Sequence, residues 1–157
     1  MIGILLAVAT PRILSALPGY RLRAEVRELI ISLKKAKLEA VKRNRNVVFR
    51  FTPGVGNQGG SYIIFMDADG DNAFVPAPGG PDLLLSSRQM PQSVLLLGAN
   101  FAGTDNTGFS PRAIPLKTGN CEFRTSDDSR RFRLTLSIAG ATRVESSSDG
   151  GLTWSAY

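Results

Sequence analysis

Apolar side chains recur every three or four residues along one stretch of the chain, which begins at Leu22 and ends at Val41. An α-helix completes a turn in about 3.6 residues, so this spacing gathers the apolar side chains on one face. The opposite face is mainly basic, with Glu39 among its lysines and arginines. We predict an amphipathic helix that packs on the remainder of the protein. The residues predicted to make this contact are Leu22, Val26, Leu29, Ile30, Leu33 and Val41.

From Asn46 the pattern changes to short runs of β-branched and aromatic residues separated by turn-forming residues. Residues 46–52 and 61–66 predict a hairpin, and the apolar runs 82–85 and 93–97 predict two buried strands. Residues 100–108 are typical of a turn. The sequence therefore predicts an α+β fold in two parts. A long N-terminal amphipathic stalk helix, residues 1–45, packs against an antiparallel β-sheet or β-sandwich head, residues 46–157.

The clearest strand signal lies in residues 130–138, where apolar and polar side chains alternate strictly. Such alternation is typical of a strand with one face on a core and one face in water. Residues 120–124 are its predicted partner, joined to it by a polar turn. The residues predicted to face inward are Phe132, Leu134, Leu136 and Ile138 on the strand, with Cys121 and Phe123 on its partner.

The chain starts with an uncharged apolar segment from Met1 to Ala9, which Pro11 and Arg12 interrupt. A helix needs about 20 apolar residues to cross a bilayer, so this segment alone is too short. We expect it to pack on neighbouring helices or on lipid. The residues predicted to make these contacts are Ile2, Ile4, Leu5, Leu6, Val8 and Pro11.

The net charge of +6 is unevenly distributed along the chain. Residues 11–51 contain eleven Lys and Arg against three Glu, a balance of +8, so the remainder carries −2. A basic helix face can meet nucleic acid, anionic lipid or an acidic protein, and it can also simply be solvated. Charge alone does not separate these possibilities.

The chain contains no histidine and a single cysteine, Cys121. The absence of histidine excludes Ser-His-Asp triads and histidine-ligated metal sites. A lone cysteine is more often a small buried apolar residue than a nucleophile. No pair of carboxylates has a spacing that indicates acid–base catalysis. We therefore predict a protein that is not an enzyme and has no cofactor and no catalytic metal.

An acidic segment over residues 67–72 places Asp67, Asp69 and Asp71 at alternating positions, as in a calcium-binding loop. The sixth and twelfth residues are Asn72 and Pro78, where an EF-hand loop needs Gly and Glu. Asp and Asn also favour tight turns, because their side chains bind nearby backbone N–H groups. We predict a turn here, and a weak calcium site is the alternative.

Several short motifs occur in a fixed order along the predicted helix. Ala9-Thr10-Pro11 ends the apolar segment, residues 21–25 are Arg-Leu-Arg-Ala-Glu, and residues 36–43 are Ala-Lys-Leu-Glu-Ala-Val-Lys-Arg. In this order the motifs resemble the N-terminal region of type IV pilin-like proteins, specifically the GspH/FimT-type minor pseudopilins. Phe109-Ser110-Pro111 is similar to a further segment of that family.

This resemblance implies a structural subunit of a type II secretion or type IV pilus assembly machinery. Such a subunit joins a short filament through its N-terminal helix, spans the bacterial inner membrane once and places its head in the periplasm. Its partners would be other pilin-like subunits, the assembly machinery and the membrane. The family's N-terminal processing motif is absent. We expect roughly eleven further residues upstream, which would extend the apolar run to about 20.

A FimT-like minor pilin that binds DNA for uptake is the alternative function. That group resembles the present chain around Gly140 and Arg143, but Ala141 replaces the first arginine of its Gly-Arg-x-Arg motif. Losing one of two clustered arginines weakens phosphate binding, so a hairpin turn with one exposed arginine is the favoured reading. The residues that would contact DNA are Arg131, Arg133 and Arg143.

Residues 147–154, Ser-Ser-Asp-Gly-Gly-Leu-Thr-Trp, resemble the Asp-box of sialidases and other β-propellers. In those proteins the Asp-box stabilises a hairpin and has no catalytic role. A single copy cannot build a propeller, which needs repeated blades. We predict a C-terminal hairpin anchored by Trp154 and no sialidase activity.

Overall fold

A computed structural model of the protein describes residues 2–56 and 58–157, with side chains from residue 17 onward. Across these residues the chain forms one α-helix and nine β-strands. They are α1 (Ile2–Arg43), β1 (Asn46–Thr52), β2 (Ser61–Asp67), β3 (Leu83–Gln89), β4 (Val94–Phe101), β5 (Asn106–Phe109), β6 (Gly119–Thr125), β7 (Arg131–Leu136), β8 (Thr142–Ser147) and β9 (Ser155–Ala156).

The strands form two antiparallel sheets. The first has four strands in the order β3-β2-β1-β5, and the second has five in the order β4-β6-β7-β8-β9. Helix α1 contacts β1 and β5 of the first sheet and β4, β6 and β7 of the second. The predicted α+β fold, a long N-terminal helix packed on an antiparallel β head, is confirmed.

One hydrophobic core joins the helix to both sheets. The helix contributes a line of residues three or four positions apart, all of them buried. Burial of a Leu or Val side chain contributes about 1.5–3 kcal/mol, so this face holds the helix firmly to the head. Ile30 is half-buried against the same core. The buried helix residues are Leu22, Val26, Leu29, Leu33, Ala36 and Ala40.

Val41 was predicted to pack on the head, but it lies on the outer side of the helix and is 51% exposed. The core position of that turn belongs to Ala40, which is fully buried. Successive residues in a helix point about 100° apart, so both cannot face the head. A contiguous apolar pair in the sequence does not say which member is inside.

The hairpin predicted from residues 46–52 and 61–66 is present as β1 and β2, with Phe49 opposite Ile64 and Phe51 opposite Tyr62. The side chains of Phe51 and Tyr62 form an aromatic cluster with Phe101 from β4, with ring centroids 5.6 to 5.9 Å apart. Aromatic pairs at such distances stabilise a core beyond their buried area. The cluster joins the two sheets.

Strands β6 and β7 pair as predicted, with Cys121 opposite Leu134 and Phe123 opposite Phe132. All four side chains are buried, and β7 is the central strand of its sheet. The prediction that Ile138 also faces inward was wrong, because Ile138 is 81% exposed. The strand ends at Leu136, and Ser137 turns the chain by donating its backbone N–H to the carbonyl of Ala141.

Two further strand predictions need correction. Residues 82–85 were expected to be buried, but Leu83 and Leu84 are 46% and 45% exposed, because β3 is an edge strand. Strands β3 and β4 follow each other in the chain but lie in different sheets. Residues 106–108, expected within a turn, belong to β5, which pairs with β1 at the edge of the first sheet.

Candidate functional site

A half-buried ion pair joins α1 to the edge strand β3. Glu25 is 5% exposed, and Arg88 donates hydrogen bonds of 2.8 and 3.1 Å to its two carboxylate oxygens. These bonds, and the charge of Glu25, raise the pKa of the Arg88 guanidinium. Glu25 lies in the Arg-Leu-Arg-Ala-Glu motif of residues 21–25, but no local pattern points to a partner 63 positions away.

A groove of about 420 Å³ runs beside this pair between α1 and the first sheet. Glu28, Lys35 and Glu39 line it from the helix, and Ile64 and Leu85 line it from β2 and β3. Serines also face the groove, but the chain has no histidine that could activate them. Its chemistry is that of a mixed surface cleft.

The acidic loop after β2 is held by its own carboxylates. Asp67 accepts the backbone N–H of Gly70 at 2.8 Å, and Asp82 accepts those of Ala68 and Val75 at 3.0 and 2.9 Å. The carboxylates of Asp67, Asp69 and Asp82 lie within 4.8 Å of one another. The fold therefore groups Asp82 with the first two members of the predicted set.

Asp71, the third member of that predicted set, points elsewhere and accepts the backbone N–H of Ala73 at 2.7 Å. Both buried carboxylates, Asp67 and Asp82, have each oxygen engaged by a backbone N–H. Such bonds satisfy a buried carboxylate and order a turn at the same time. The turn that the sequence predicted accounts for this cluster.

The candidate DNA contacts share one face of the second sheet. Arg131 and Arg133 alternate on β7, and Arg143 follows on β8 opposite Thr135. Each guanidinium has a carboxylate neighbour. Arg131 binds Asp128 at 2.7 and 2.8 Å, Arg133 binds Glu122 at 2.8 Å, and Arg143 lies 3.1 Å from Glu145.

These ion pairs change the electrostatics of the face. The hydrogen bond from Arg131 lowers the pKa of Asp128, so that carboxylate is ionised at neutral pH. A phosphate would have to displace carboxylates that already occupy the guanidinium groups. Arg143 is the most accessible, with a side chain 69% exposed. The sheet brings the three arginines together but also interleaves acids among them.

The Asp-box residues form the predicted C-terminal hairpin between β8 and β9. Asp149 accepts the Ser147 hydroxyl at 2.6 Å and the backbone N–H groups of Leu152 and Thr153 at 3.1 and 3.0 Å. These bonds, led by that from Ser147, hold the pKa of Asp149 far below its usual range. Gly151 takes the left-handed conformation, with φ of 89°, that the turn requires.

Trp154 anchors this hairpin in a way that the sequence did not indicate. It is half-buried, and the guanidinium of Arg133 lies 4.0 Å from the centre of its ring. Cation–π contacts of this kind are strongest with Trp. One of the candidate DNA contacts is therefore covered from above by Trp154 and held from the side by Glu122.

Cys121 lies in the core beneath this sheet. It is fully buried, and burial raises the pKa of its thiol. A thiol must ionise to act as a nucleophile, so Cys121 is a packing residue.

The family model of type II transport protein GspH matches residues 25–140. This match covers most of the helix face packed on the head and both sheets up to the β7–β8 turn. The chain belongs to the GspH family. No curated protein and no solved structure matches it.

GspH proteins are pseudopilins of type II secretion, a structural family rather than an enzyme family, and they interact with other pseudopilins of the machinery. The predicted resemblance is confirmed. Glu25 is the first residue of the match and Gly140 the last. Arg143 and the Asp-box hairpin lie outside the matched residues. Over the part of the chain that the structure describes, no helix is long and apolar enough to cross a membrane.

Proposed function

We propose that this chain is a minor pseudopilin that joins a short type II secretion filament through its N-terminal helix, anchored in the inner membrane with its head in the periplasm. The observation that carries the proposal is a GspH match on a head built around one continuous helix, Ile2–Arg43. Among the described side chains, the first one in the core is Leu22.

The head holds this helix rigidly. Its inner face is buried from Leu22 to Ala40, and the Glu25–Arg88 pair ties it to β3. A load applied to the N-terminal end of the helix would reach both sheets, because both contact it. This is the property that a filament subunit needs at the junction of stalk and head.

The residues proposed for filament packing precede that junction. They are Ile2, Ile4, Leu5, Leu6, Val8 and Pro11, whose side chains lie outside the described residues. Their apolar character supports a location among neighbouring stalks or in lipid.

Complementation of a deletion strain tests the proposal. Each aspartate placed among apolar stalks or in lipid costs about 2.5–3.5 kcal/mol. We expect the unmodified chain to restore secretion and the L5D/L6D variant to fail. The matched control is I138D/L152D, which puts the same two charges on head residues that are 81% and 86% exposed. Normal secretion with L5D/L6D, or no defect in the deletion strain, would contradict the proposal.

DNA binding by a FimT-like minor pilin has less support, because Arg131, Arg133 and Arg143 each have a carboxylate neighbour. Gel shifts of the purified chain at low and high salt test it. We expect no retardation. Retardation that weakens steeply with salt and disappears in R133A/R143A would establish DNA as a partner.

A further inference from the structure

Helix α1 carries a second apolar stripe on the side away from the head. Leu17, Tyr20, Ile31, Leu38 and Val41 are 39% to 70% exposed, although large apolar side chains are normally covered. They fall on a regular series of three-residue and four-residue steps through positions 17, 20, 24, 27, 31, 34, 38 and 41. Exposed Ala24 continues the series, and Arg27 and Lys34 occupy its two remaining positions.

This spacing is the heptad repeat of a helix that packs against another helix. From residue 17 to residue 41 the stripe runs about 36 Å, at a rise of about 1.5 Å per residue. The stripe is separate from the helix face that packs on the head, which consists of positions 22, 26, 29, 33, 36 and 40. One helix therefore presents two separate apolar stripes, and only one is covered within the chain. We call the exposed one the outer seam.

The outer seam is too narrow for a helix that lies on a membrane. A helix that lies on a broad apolar surface typically has an apolar sector of about 100° or more, whereas a stripe of two heptad positions is the narrower seam of a helix pair. Here charged side chains border the stripe, and Arg27 and Lys34 interrupt its centre. A second helix can accommodate two such cations if it places carboxylates opposite them, as charged positions do in coiled coils.

The charges along the outer seam indicate what kind of helix binds there. Arg27 and Lys34 are exposed and make no ion pair with any side chain that the structure describes. The heptad positions beside the stripe carry Arg21, Arg23, Lys35, Lys37 and Lys42, with Glu28 as their one acid. A second copy in parallel register would place Arg27 against Arg27 and Lys34 against Lys34, which is repulsive.

We propose that the outer seam docks the stalk helix of a different pseudopilin, whose apolar heptad stripe is flanked by Asp and Glu with carboxylates facing Arg27 and Lys34. This inference rests on the proposed function, because a shared filament brings the two helices side by side. The apolar positions supply the contact area, and the cations select an acidic partner and set the register.

Photo-cross-linking in cells that carry the complete secretion system tests this proposal. A photoreactive amino acid at Leu38 of the full-length chain, whose side chain is 70% exposed, samples the seam directly. We expect one principal product, in which mass spectrometry finds the cross-link on an acidic helix of another pseudopilin. Products with lipid alone, with a second copy of this chain, or no product at all would overturn the proposal.

Reversing the charges of Arg27 and Lys34 tests whether these cations select the partner helix. R27E/K34E is expected to lower the yield of this product at least about fivefold, and Lys in place of the facing carboxylates of the partner should restore it. The matched control is R50E/R112E, which makes the same change in charge at two exposed positions of the head. Equal yields from R27E/K34E and the control would overturn the proposal. Unchanged unfolding midpoints of both purified variants will show that folding is not the cause.

These experiments distinguish a failure of the seam proposal from a failure of the proposed pseudopilin function. If the unmodified chain restores secretion and R27E/K34E does so equally well, with no cross-link at Leu38, the seam proposal fails and the pseudopilin role stands. If the unmodified chain is not needed for secretion, the pseudopilin role fails.

Discussion

The two faces of α1 have similar apolar patterns and opposite environments. On the inner face Leu29 is fully buried against both sheets, whereas on the outer face Leu38 is 70% exposed. The inner face has one acid, Glu25, which reaches a head arginine, and the outer seam has cations without a carboxylate neighbour among the described side chains. An apolar stripe on a helix therefore shows that a surface is needed but does not say whether the same chain supplies it.

Truncation of one leucine on each face is expected to give the largest difference. Leu29→Ala should lower the free energy of unfolding by about 2–5 kcal/mol, because it removes a fully buried side chain and leaves a cavity. Leu38→Ala should change it by about 0.5 kcal/mol or less. Urea unfolding followed by circular dichroism measures both. Equal losses would mean that Leu38 also packs within the isolated chain.

A smaller difference is expected between two acids of the helix, the buried Glu25 and the more exposed Glu39. Glu25→Gln leaves Arg88 without its buried partner and should cost about 1–3 kcal/mol, less than for a fully buried pair because Arg88 is partly in water. Glu39→Gln removes an exposed helix pair with Arg43 and should leave the unfolding midpoint unchanged. A double-mutant cycle with R88Q isolates the Glu25–Arg88 term. A coupling energy near zero would show that the burial of Glu25 has another cause.

The smallest effect is expected at the C-terminal hairpin, which tests whether the helix contacts are independent of it. The folded pKa of Asp149 is depressed, so its contribution is present above the usual carboxyl pKa and is lost as the pH falls. Trp154 is the single tryptophan, so its fluorescence reports this hairpin. We expect an acid transition in Trp154 fluorescence that D149A removes, with no change in helix content. A parallel loss of helix signal would show that the hairpin and α1 unfold together.

Local periodicity predicted much of the fold. The steps from Leu22 to Leu33 identified the inner face, and the alternation from Phe132 to Leu136 identified the central strand of the second sheet. These patterns succeed because each reflects burial on one side of a regular element. They fail at ends, where Ile138 continues the alternation after the strand has turned away. They also fail at sheet edges, where the apolar residues of β3 remain half in water.

The candidate sites also fall into two groups, those that local sequence predicts and those that depend on tertiary packing. Turn chemistry is local, so the hairpin at Asp149 and the turn at Asp67 could be predicted from their own residues. Three pairings could not be predicted, because each depends on how separate elements pack together: Asp82 with Asp67, Arg88 with Glu25, and Arg133 with Trp154. The sheet face that carries the candidate DNA-contacting arginines is an example. Its arginines were visible in the sequence, and the carboxylates beside them became visible only in the sheet.

The amino-acid sequence by itself determined the class of this protein, a GspH-like helix followed by a β head, because helix and strand periods are properties of neighbouring residues. The tertiary structure alone decided which apolar residues are covered. Ala40 is inside and Val41 is outside because the two sheets can cover only one side of a helix. The other side keeps its heptad stripe and its cations, and under our proposal the acidic helix of a neighbouring subunit covers it.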